Sequence, residues 1–511
     1  MFSSVTSGTV YGMKSYLVNV EVDFSQGLPC VVMVGKLGSE VKESAERVRV
    51  ALKNIGISLP AMHIAINLSP ADIKKSGTGF DLPIALGILE AMGKIPPGSL
   101  KNTLSIGELG LNGEIKKVNA VMPIVWEGAK QEYKTFIVPC QNIKEADLVP
   151  DIDVVGKDTL LELIDFLKNQ ENIVRKPHES GIGAGNEAGE SLFQVDFADV
   201  VGQDNLKRGA LIAAAGFHHL LIMGSPGTGK TMIAKRIPTI LPPLTKEERM
   251  DVTAIYSIAG KLTDTNPVIR ARPFVSPHHT VSIQGMAGGG MVPKPGAVSL
   301  AHKGILFLDE LPEFQRQSID ILRQPLEEKT INLSRSTGSF SYPADIMLVA
   351  AMNPCPCGYY PDINKCSCSP ASVKTYLQHI SGPILDRIDI CVTAMKINVS
   401  DFHDSNTGMT SMEMRQIVEK TRVIQNERYK DEPYDTNSGL DIAGIKKYCS
   451  LEEVDRKLFE SACDKLDISA RAYHRILRVA RTIADIGDSE KIRSEHLMEA
   501  MCYRPQLPRM R

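Results

Sequence analysis

The eight residues GSPGTGKT, at positions 224–231, constrain the fold more than any other stretch of this chain of 511 residues. They fit the pattern G-x-x-x-x-G-K-[ST], which belongs to a loop between a buried strand and a helix. The apolar HLLIM precedes the loop and MIAKRI follows it, as this arrangement requires. The sequence therefore predicts an α/β region in which a phosphate-binding loop follows a buried strand.

The residue types in this loop suit a nucleoside triphosphate. Glycines let the main chain curl until its N–H groups meet phosphate oxygens. Lys230 is predicted to reach the β and γ phosphates, and the Thr231 hydroxyl is predicted to bind Mg²⁺. With one aspartate from a later strand, the predicted nucleotide-binding residues are Gly224, Ser225, Pro226, Gly227, Thr228, Gly229, Lys230, Thr231 and Asp309.

Two further apolar runs end in polar residues that suit hydrolysis of ATP. GILFLDE, at 304–310, predicts a buried parallel strand with Asp309 and Glu310 at its carboxyl end. Asp309 suits the coordination of Mg²⁺, and Glu310 is placed to polarise the attacking water. IMLVAAMN ends in Asn353, which either orients that water or serves only as a turn former at a strand end.

Two arginine patterns follow these strands. ILDRIDI carries Arg387, which suits an arginine finger acting on the nucleotide of a neighbouring subunit. In SARAYHRILRVARTIADI, Arg471, Arg475 and Arg478 share one helical face, which is most often a solvated surface. Because the helix follows the ATPase motifs, Arg471 is predicted to sense phosphate, with Arg475 as the second candidate.

Four cysteines stand close together in NPCPCGYYPDINKCSC. Cys355, Cys357, Cys366 and Cys368 form C-x-C-x8-C-x-C, a spacing that suits either a structural zinc ion or four reduced thiols in a proline-rich loop. The other six are interpreted as small core residues: Cys30, Cys140, Cys391, Cys449, Cys463 and Cys502.

Composition and charge narrow the functional classes. With 58 basic and 60 acidic residues, the net charge of −2 does not mark the whole chain as a nucleic-acid or membrane binder, so any basic surface must be local. The chain has no secretory signal pattern and no apolar run of the ~20 residues that span a bilayer, so a soluble, cytoplasmic protein is expected.

The length predicts more than one domain. Alternating polarity predicts a strand in YLVNVEVDF, helical spacing predicts helices at 38–54 and in DLPIALGILEAM, and Asn112-Gly113 predicts a hairpin turn. Glycine, glutamate and serine are abundant between these elements and the phosphate loop, which indicates a linker. The predicted divisions are an α+β domain at 1–170, a linker at 171–192, an ATPase core at 193–396 and a helical domain at 397–511.

The order of GSPGTGKT, GILFLDE, NPCPCG, ILDRID and SARAYHRILRVARTIAD resembles the magnesium-chelatase-like AAA+ ATPases, in particular the bacterial ComM/YifB family. The resemblance covers essentially the whole chain. It implies an α/β AAA+ P-loop NTPase core with a helical lid and a ring of subunits, usually a hexamer. It also implies the roles of phosphate lysine, Mg²⁺ ligands, catalytic glutamate, first sensor, finger and second sensor for Lys230, Thr231, Asp309, Glu310, Asn353, Arg387 and Arg471.

The first domain resembles the Lon-type protease fold in GTGFDLPIALGIL and IGELGLNGEIKKV. Lon proteases use a serine activated by a lysine. Aligned by these segments, Gly77 stands near the serine position and Met122 near the lysine position, so the dyad is missing. We therefore expect a binding or assembly module without protease activity.

In the resemblance, segments 272–296 and 331–342 correspond to insertions that project toward the pore of the ring. They carry His278, His279, Lys294 and Arg335, with Phe340 and Tyr342 as aromatic groups that suit stacking on DNA bases. Contact with an adjacent subunit is the alternative for each residue. The leading expectation is an ATPase that translocates on and remodels DNA, in helicase or branch-migration activity; the alternative is a motor that remodels a protein partner, as in magnesium chelatase.

Overall fold

The computed structural model of the chain describes residues 1–169, 195–290, 293–335, 338–362, 364–396 and 408–504. The predicted linker at 171–192 lies outside the described residues, as does most of the predicted boundary between core and helical domain. The division into domains therefore stays a prediction, while the elements on either side can be described.

The first part of the chain forms a mixed sheet with helices packed on it. Its strands are β1 Phe2–Tyr11, β2 Lys14–Ser25, β3 Cys30–Val34, β4 His63–Ser69, β5 Thr103–Ser105, β6 Glu108–Leu109, β7 Ile115–Lys116, β8 Thr135–Pro139 and β9 Asp153–Lys157. Its helices are α1 Ser39–Lys42, α2 Ser44–Asn54, α3 Asp81–Ala91, α4 Val121–Lys130, α5 Ile143–Ala146 and α6 Leu160–Asn169.

Seven of these strands form one sheet in the order β3-β4-β2-β1-β5-β8-β9. Strand β2 pairs antiparallel with β1 and β4, and its alternating Val18, Val20 and Val22 are buried, as the sequence pattern predicts. The predicted helix at 38–54 is present but divided at Glu43. Strands β6 and β7 form the predicted hairpin, in which Gly113 has the positive φ of +84°.

The second part of the chain contains the phosphate loop. Its strands are β10 Leu220–Met223, β11 Phe274–Val275, β12 Gly288–Gly289, β13 Lys294–Pro295, β14 Ile305–Leu308, β15 Thr330–Arg335, β16 Gly338–Pro343, β17 Met347–Met352 and β18 Ile390–Thr393. Its helices are α7 Asp204–Gly216, α8 Lys230–Ala234, α9 Ile237–Ile240, α10 Lys246–Ala259, α11 Ile283–Ala287, α12 Ala297–Leu300, α13 Arg316–Asp320, α14 Arg323–Glu328, α15 Pro370–Gln378 and α16 Gly382–Leu385.

The central sheet of this part has the order β11-β14-β17-β10-β18, and all of its pairings are parallel. Every residue of β14 and β17 is buried, which explains why both strands appear in the sequence as continuous apolar runs. The predicted α/β class is confirmed. Since parallel strands present their carboxyl ends at one edge, residues that follow β10, β14 and β17 converge there.

The last part of the chain is helical and packs against the core. Its helices are α17 Ser411–Arg428, α18 Ile442–Tyr448, α19 Glu453–Lys465, α20 Ala470–Ile486 and α21 Ser494–Cys502. One apolar cluster includes Ile222 of β10, Ala213 of α7 and Ile483 of α20, so this helical part and the central sheet share a core. Among the helices in the described ranges, none has the length and apolarity needed to cross a bilayer.

The six scattered cysteines do not all behave as predicted. Cys391, Cys449 and Cys463 are buried, as expected for small core residues. Cys30 and Cys502 are exposed and Cys140 is half-buried, so the core interpretation is wrong for these three. Cys30 is exposed because β3 is an edge strand with alternating exposure, and Cys502 lies at the end of α21.

Polar contacts join the first part of the chain to helix α10 of the second part. The Glu145 carboxylate is buried, accepts the main-chain N–H of Met122 at 2.9 Å and accepts a hydrogen bond from the hydroxyl of Ser257 on α10. Lys117 donates to Leu262 O at 3.1 Å and pairs with Asp264 at 2.8 Å just beyond that helix. Burial raises the pKa of Glu145, so these partners compensate a costly position for a carboxyl group.

Buried His302 makes the stability of the core depend on pH. Its Nδ1 accepts the main-chain N–H of Asp345 at 3.0 Å, and burial followed by the nearby Lys303 lowers its pKa to about 4. The unfolded chain binds the proton near pH 6.5. The contribution of neutral His302 to the free energy of unfolding is therefore fully present above about pH 6.5. It is lost as the pH falls toward the pKa of His302 in the folded protein.

We expect the difference in free energy of unfolding between wild type and His302→Gln to shrink by on the order of 3 kcal/mol from pH 7 to pH 4. Urea unfolding at several pH values measures this difference. The effects of all other titrating groups are the same in both proteins and cancel when the two free energies of unfolding are subtracted. A difference that does not change with pH would contradict the assignment of a neutral, buried His302.

Candidate nucleotide site

The phosphate loop lies where the parallel sheet predicts it. Strand β10 ends at Met223, and the loop runs into helix α8, which begins at Lys230. Gly227 and Gly229 have φ values of +77° and +84°, a left-handed conformation that side chains disfavour. Thr228 fixes the loop by donating its hydroxyl to Ser225 O at 2.8 Å. Together, residues 224–231 form one continuous turn into the helix N-terminus.

Lys230 joins the loop to the neighbouring strand. Its ammonium donates to Gly224 O at 2.8 Å, Ser225 O at 3.0 Å and Asn353 Oδ1 at 3.0 Å. Partial burial lowers the pKa of Lys230, although Asp309 and Glu310 oppose the shift. The structure thus brings the predicted lysine and the predicted first sensor into direct contact. An ammonium held by neutral oxygen atoms is ready to exchange these acceptors for a phosphate.

Thr231 and Asp309 suit a magnesium ion. The Thr231 hydroxyl donates to Asp309 Oδ2 at 2.7 Å, so a hydroxyl and a carboxylate from different elements meet at the sheet edge. Oxygen donors of this kind are those that Mg²⁺ takes up beside phosphates. Glu310 follows directly and is exposed, with a φ of +53° and its main-chain N–H donated to Asp309 Oδ1. Its exposed carboxylate can therefore face a ligand at this edge of the sheet.

Two contacts at this site were missed by the sequence reasoning. Gln203, just before α7, donates its side-chain amide to Thr228 O at 3.2 Å and to Met395 O at 2.6 Å. The only signal was a glycine-glutamine pair before a helix. His279 was assigned to an insertion, yet its Nδ1 lies 3.9 Å from Glu310 Oε2. A contact between segments so far apart in the chain is not visible in the sequence.

The predicted arginines lie together around the turn that follows α16. Arg387 follows α16, donates to Pro383 O at 2.5 Å and pairs with Glu327. Arg471 is largely exposed and lies 3.6 Å from Asp386, beside Arg387. Arg475 is buried and donates to Leu385 O and Ile388 O. The interpretation of this stripe as a solvated face is wrong for Arg475, and a buried guanidinium whose Nη1 already donates to two carbonyls does not fit a phosphate sensor.

The two predicted insertions lie side by side. Tyr342 of β16 donates its hydroxyl to Pro293 O at 2.6 Å, which joins the hairpin β15–β16 to the β12–β13 region. Phe340 and Tyr342 are only 3% and 0% exposed, and Phe340 packs on Tyr11 with ring centroids 4.6 Å apart. The prediction that these two aromatic groups stack on bases is wrong, because strand alternation turns them into an apolar cluster. Lys294, Arg335 and His278 are exposed.

The four cysteines following Asn353 converge. Their Sγ atoms all lie within 4.8 Å of one another, with 3.3 Å between Cys355 and Cys357, 3.7 Å between Cys355 and Cys366, and 3.5 Å between Cys357 and Cys366. Four thiolates around zinc, with bonds of about 2.3 Å, would be about 3.8 Å apart. The main-chain N–H of Tyr359 lowers the pKa of Cys357 to about 6, which favours one thiolate. The donor set and spacing, including Cys368, fit zinc.

This cysteine loop also packs on the phosphate loop. Gly358 has a φ of +84°, and a Cβ atom placed there would lie 2.4 Å from Cδ of Pro226. Cys355 is fully buried, and its Sγ accepts the main-chain N–H of Tyr360 at 3.4 Å. The cysteine cluster therefore lies in the second layer behind the nucleotide site rather than among its reacting groups.

A parallel sheet that presents a phosphate loop, an acidic pair and an asparagine at one edge, followed by a helical domain, defines an AAA+ P-loop protein. The family described as magnesium chelatase, subunit ChlI, matches residues 196–402; the families described as subunit ChlI of Mg-chelatase and as its C-terminal domain match 20–142 and 408–504. With two relatives, ComM and YifB, that are each 40% identical over 98% of the chain, these matches show that the chain belongs to the magnesium-chelatase-like ComM/YifB family.

Individual relatives agree with this assignment. The competence protein ComM of Haemophilus influenzae is 40% identical over 502 residues, which cover 98% of this chain and 97% of that protein. YifB of Escherichia coli is 40% identical over 503 residues, with the same coverage of 98% and 97%. Lon protease 2 of Bacillus subtilis is 30% identical over 144 residues, which cover 27% of this chain and 25% of the protease.

We expect Gly358→Ala to disturb the phosphate loop, because the added methyl group meets Pro226 and the residue has a left-handed backbone. The cost should be about 1–3 kcal/mol in free energy of unfolding, with weaker binding of a fluorescent ATP analogue. Gly487→Ala is the matched control, since a Cβ atom there meets its nearest neighbours at 3.6 Å and no positive φ is required. Equal affinity in both variants would show that the cysteine loop does not support the phosphate loop.

Proposed function

We propose that this chain is an ATPase that assembles into a ring, usually of six subunits, and uses ATP hydrolysis to translocate on and remodel DNA. The activity class is helicase or branch migration, as needed in recombination or natural transformation. The observation that carries the ATPase is the contact set at one sheet edge, where Lys230 meets Asn353 and Thr231 meets Asp309 beside Glu310.

Each residue has a distinct part in the proposed reaction. The loop 224–231 binds the phosphates through its main-chain N–H groups, and Lys230 neutralises charge on the β and γ phosphates. Thr231 and Asp309 would hold Mg²⁺, whose charge would support phosphoryl transfer. Glu310 accepts a proton from water that Asn353 orients, and Asn353 in turn is oriented by Lys230.

Arg387 is proposed to complete the site of the neighbouring subunit. Its hydrogen bonds within the chain go to Pro383 O and Glu327, so it must leave Glu327 to reach another nucleotide. Arg471, exposed beside Asp386, is proposed as the second sensor at the same boundary. Groups contributed across a subunit boundary make hydrolysis depend on a closed, head-to-tail ring.

Two observations support DNA as the polymer on which the ATPase translocates. The relative ComM is described as a competence protein. The joined insertions expose Lys294 and Arg335, which can neutralise phosphates of a strand, although the buried Phe340 and Tyr342 take no part in stacking.

A motor that remodels a protein partner is the second candidate. The burial of Phe340 and Tyr342 favours this candidate, because buried rings are not available to stack on DNA bases. The match to families described as subunits of magnesium chelatase supports the same alternative. Dependence on DNA is the property that separates the two candidates.

Glu310→Gln is expected to lower kcat for ATP at least about a hundredfold, because the amide cannot accept the proton of the attacking water. Binding of a fluorescent ATP analogue should be retained, since Lys230, Thr231 and Asp309 are unchanged. Glu313→Gln is the control, as an exposed acid three residues further on. Similar loss in both variants would contradict the role of Glu310.

Forked DNA is expected to stimulate the wild-type ATPase several-fold and to be unwound. Lys294→Ala combined with Arg335→Ala should reduce that stimulation and its salt dependence, whereas Lys101→Ala, which changes an exposed lysine of the first domain, should not. If no DNA structure is unwound or stimulates hydrolysis, the motor acts on a protein partner.

We further propose that Cys355, Cys357, Cys366 and Cys368 bind one structural zinc ion. The convergence of the four Sγ atoms within 4.8 Å supports this site. The ion would tie the loop that leaves Asn353 and would hold Gly358 against Pro226. Zinc in such a closed site contributes to folding rather than to the reaction.

Metal analysis of the purified wild type is expected to give about one zinc per subunit, as a closed site of four thiolates implies. Cys355→Ser and Cys366→Ser should each lose it, while Cys502→Ser, which changes an exposed cysteine, should keep it. A zinc-free wild type with four titratable thiols in this loop would favour the reduced-thiol alternative.

A further inference from the structure

The segment 385–389, LDRID, carries Arg387 and is held by the helical domain of its own chain. It connects α16 to β18, which is the outer strand of the central sheet beside β10. Helix α20 crosses it with three arginines spaced along one face, and each of them contacts the segment. The segment is therefore contacted by its own sheet, by helix α20 and, through Arg387, by Glu327 of α14.

Arg475 makes the central contact. Its side chain is buried, and a single guanidinium nitrogen, Nη1, donates to Leu385 O at 2.9 Å and to Ile388 O at 2.7 Å. These carbonyls bracket Arg387 in the chain. A donor that binds both of them fixes the turn from which Arg387 projects, since a buried carbonyl left without a donor would be costly.

The flanking contacts act on side chains of the same segment. Arg471 lies 3.6 Å from Asp386, and Arg478 lies 3.5 Å from Asp389. Asp389 also accepts from His218 at 3.1 Å, and although burial alone would raise its pKa, Arg478 and His218 hold it well below the usual range. The segment is thus tied at both ends as well as at its centre.

We propose that Arg475 is a positioning residue: it holds the segment 385–389 so that Arg387 is presented to the nucleotide of the neighbouring subunit. The inference rests on the proposed arginine finger and extends it. The lid helix of one subunit then governs hydrolysis in the next subunit, through one buried guanidinium that never touches ATP. A change in lid position would be passed on through the turn between α16 and β18.

The variant Arg475→Met removes the donors and keeps similar bulk, while Arg475→Lys keeps a donor. We expect Arg475→Met to lower kcat at least about tenfold, which is a smaller loss than removal of the arginine finger itself would cause. Binding of a fluorescent ATP analogue should be unchanged. Arg475→Lys should recover much of that activity. A loss of affinity with unchanged kcat would overturn the proposal in favour of a nucleotide contact.

Arg481→Met is the matched control for loss of a buried arginine. Arg481 lies on the same helix and donates to Glu490 O at 2.8 Å and Ser489 O at 2.5 Å, both within the helical domain. Its variant should lower the urea midpoint as much as Arg475→Met does, with kcat kept near the wild-type value. Equal loss of kcat in both variants would reduce Arg475 to a general stability role and overturn the proposal.

Mixing of subunits tests whether the effect crosses the boundary. Arg475→Met subunits keep their own phosphate loop, and Glu310→Gln subunits keep their own finger. Random assembly of equal amounts places a competent loop beside a competent finger at about one site in four, so activity should rise above that of either variant alone. No recovery would show that Arg475 acts within its own subunit.

The same mixture with Arg387→Ala in place of Arg475→Met serves as the reference. Recovery with Arg387→Ala but not with Arg475→Met overturns the inference and leaves the finger intact. If neither mixture recovers, the finger itself is wrong, and the failure belongs to the proposed function. Recovery in both mixtures supports both.

Discussion

The hydrogen bond from Lys230 to Asn353 is the contact on which the candidate site depends, because it joins the loop that follows β10 to the residue that follows the adjacent strand β17. Lys230 begins helix α8, so the same contact fixes the helix whose N-terminus is proposed to face the phosphates. Asn353 opens the cysteine loop, which returns to Pro226 through Gly358. The phosphate loop and the cysteine loop therefore contact each other twice, at Lys230 with Asn353 and at Pro226 with Gly358, so each loop supports the other.

Much of this site could be predicted from the sequence because its residues are fixed by strand ends. Buried apolar strands are easy to recognise, and parallel pairing then places Gly224, Asp309 and Asn353 at one edge. The mixed fold of the first domain and its Asn112-Gly113 turn follow from local patterns in the same way. What local patterns cannot give is the partner of an exposed-looking side chain, as Gln203 and His279 show.

Two errors have a common physical cause. Phe340 and Tyr342 lie in a segment rich in polar residues, and Arg475 lies on the charged face of an amphipathic helix, so local composition favoured exposure for all three. Each is buried by a remote element: the β1–β2 turn and the β12–β13 region cover the aromatic residues, and the turn after α16 covers the arginine. Periodicity identifies a face, but only the tertiary fold decides what covers that face.

The buried Glu145 has a consequence for how such a chain can change during evolution. Its carboxylate takes hydrogen bonds from Met122 and Asn142 in the first domain and from Ser257 in the core. This carboxyl group loses a partner if either part of the chain is exchanged for one that lacks the matching residue. An exchange of either part therefore preserves the contact only where the new chain supplies both Glu145 and Ser257, and the same condition applies to a chimaera.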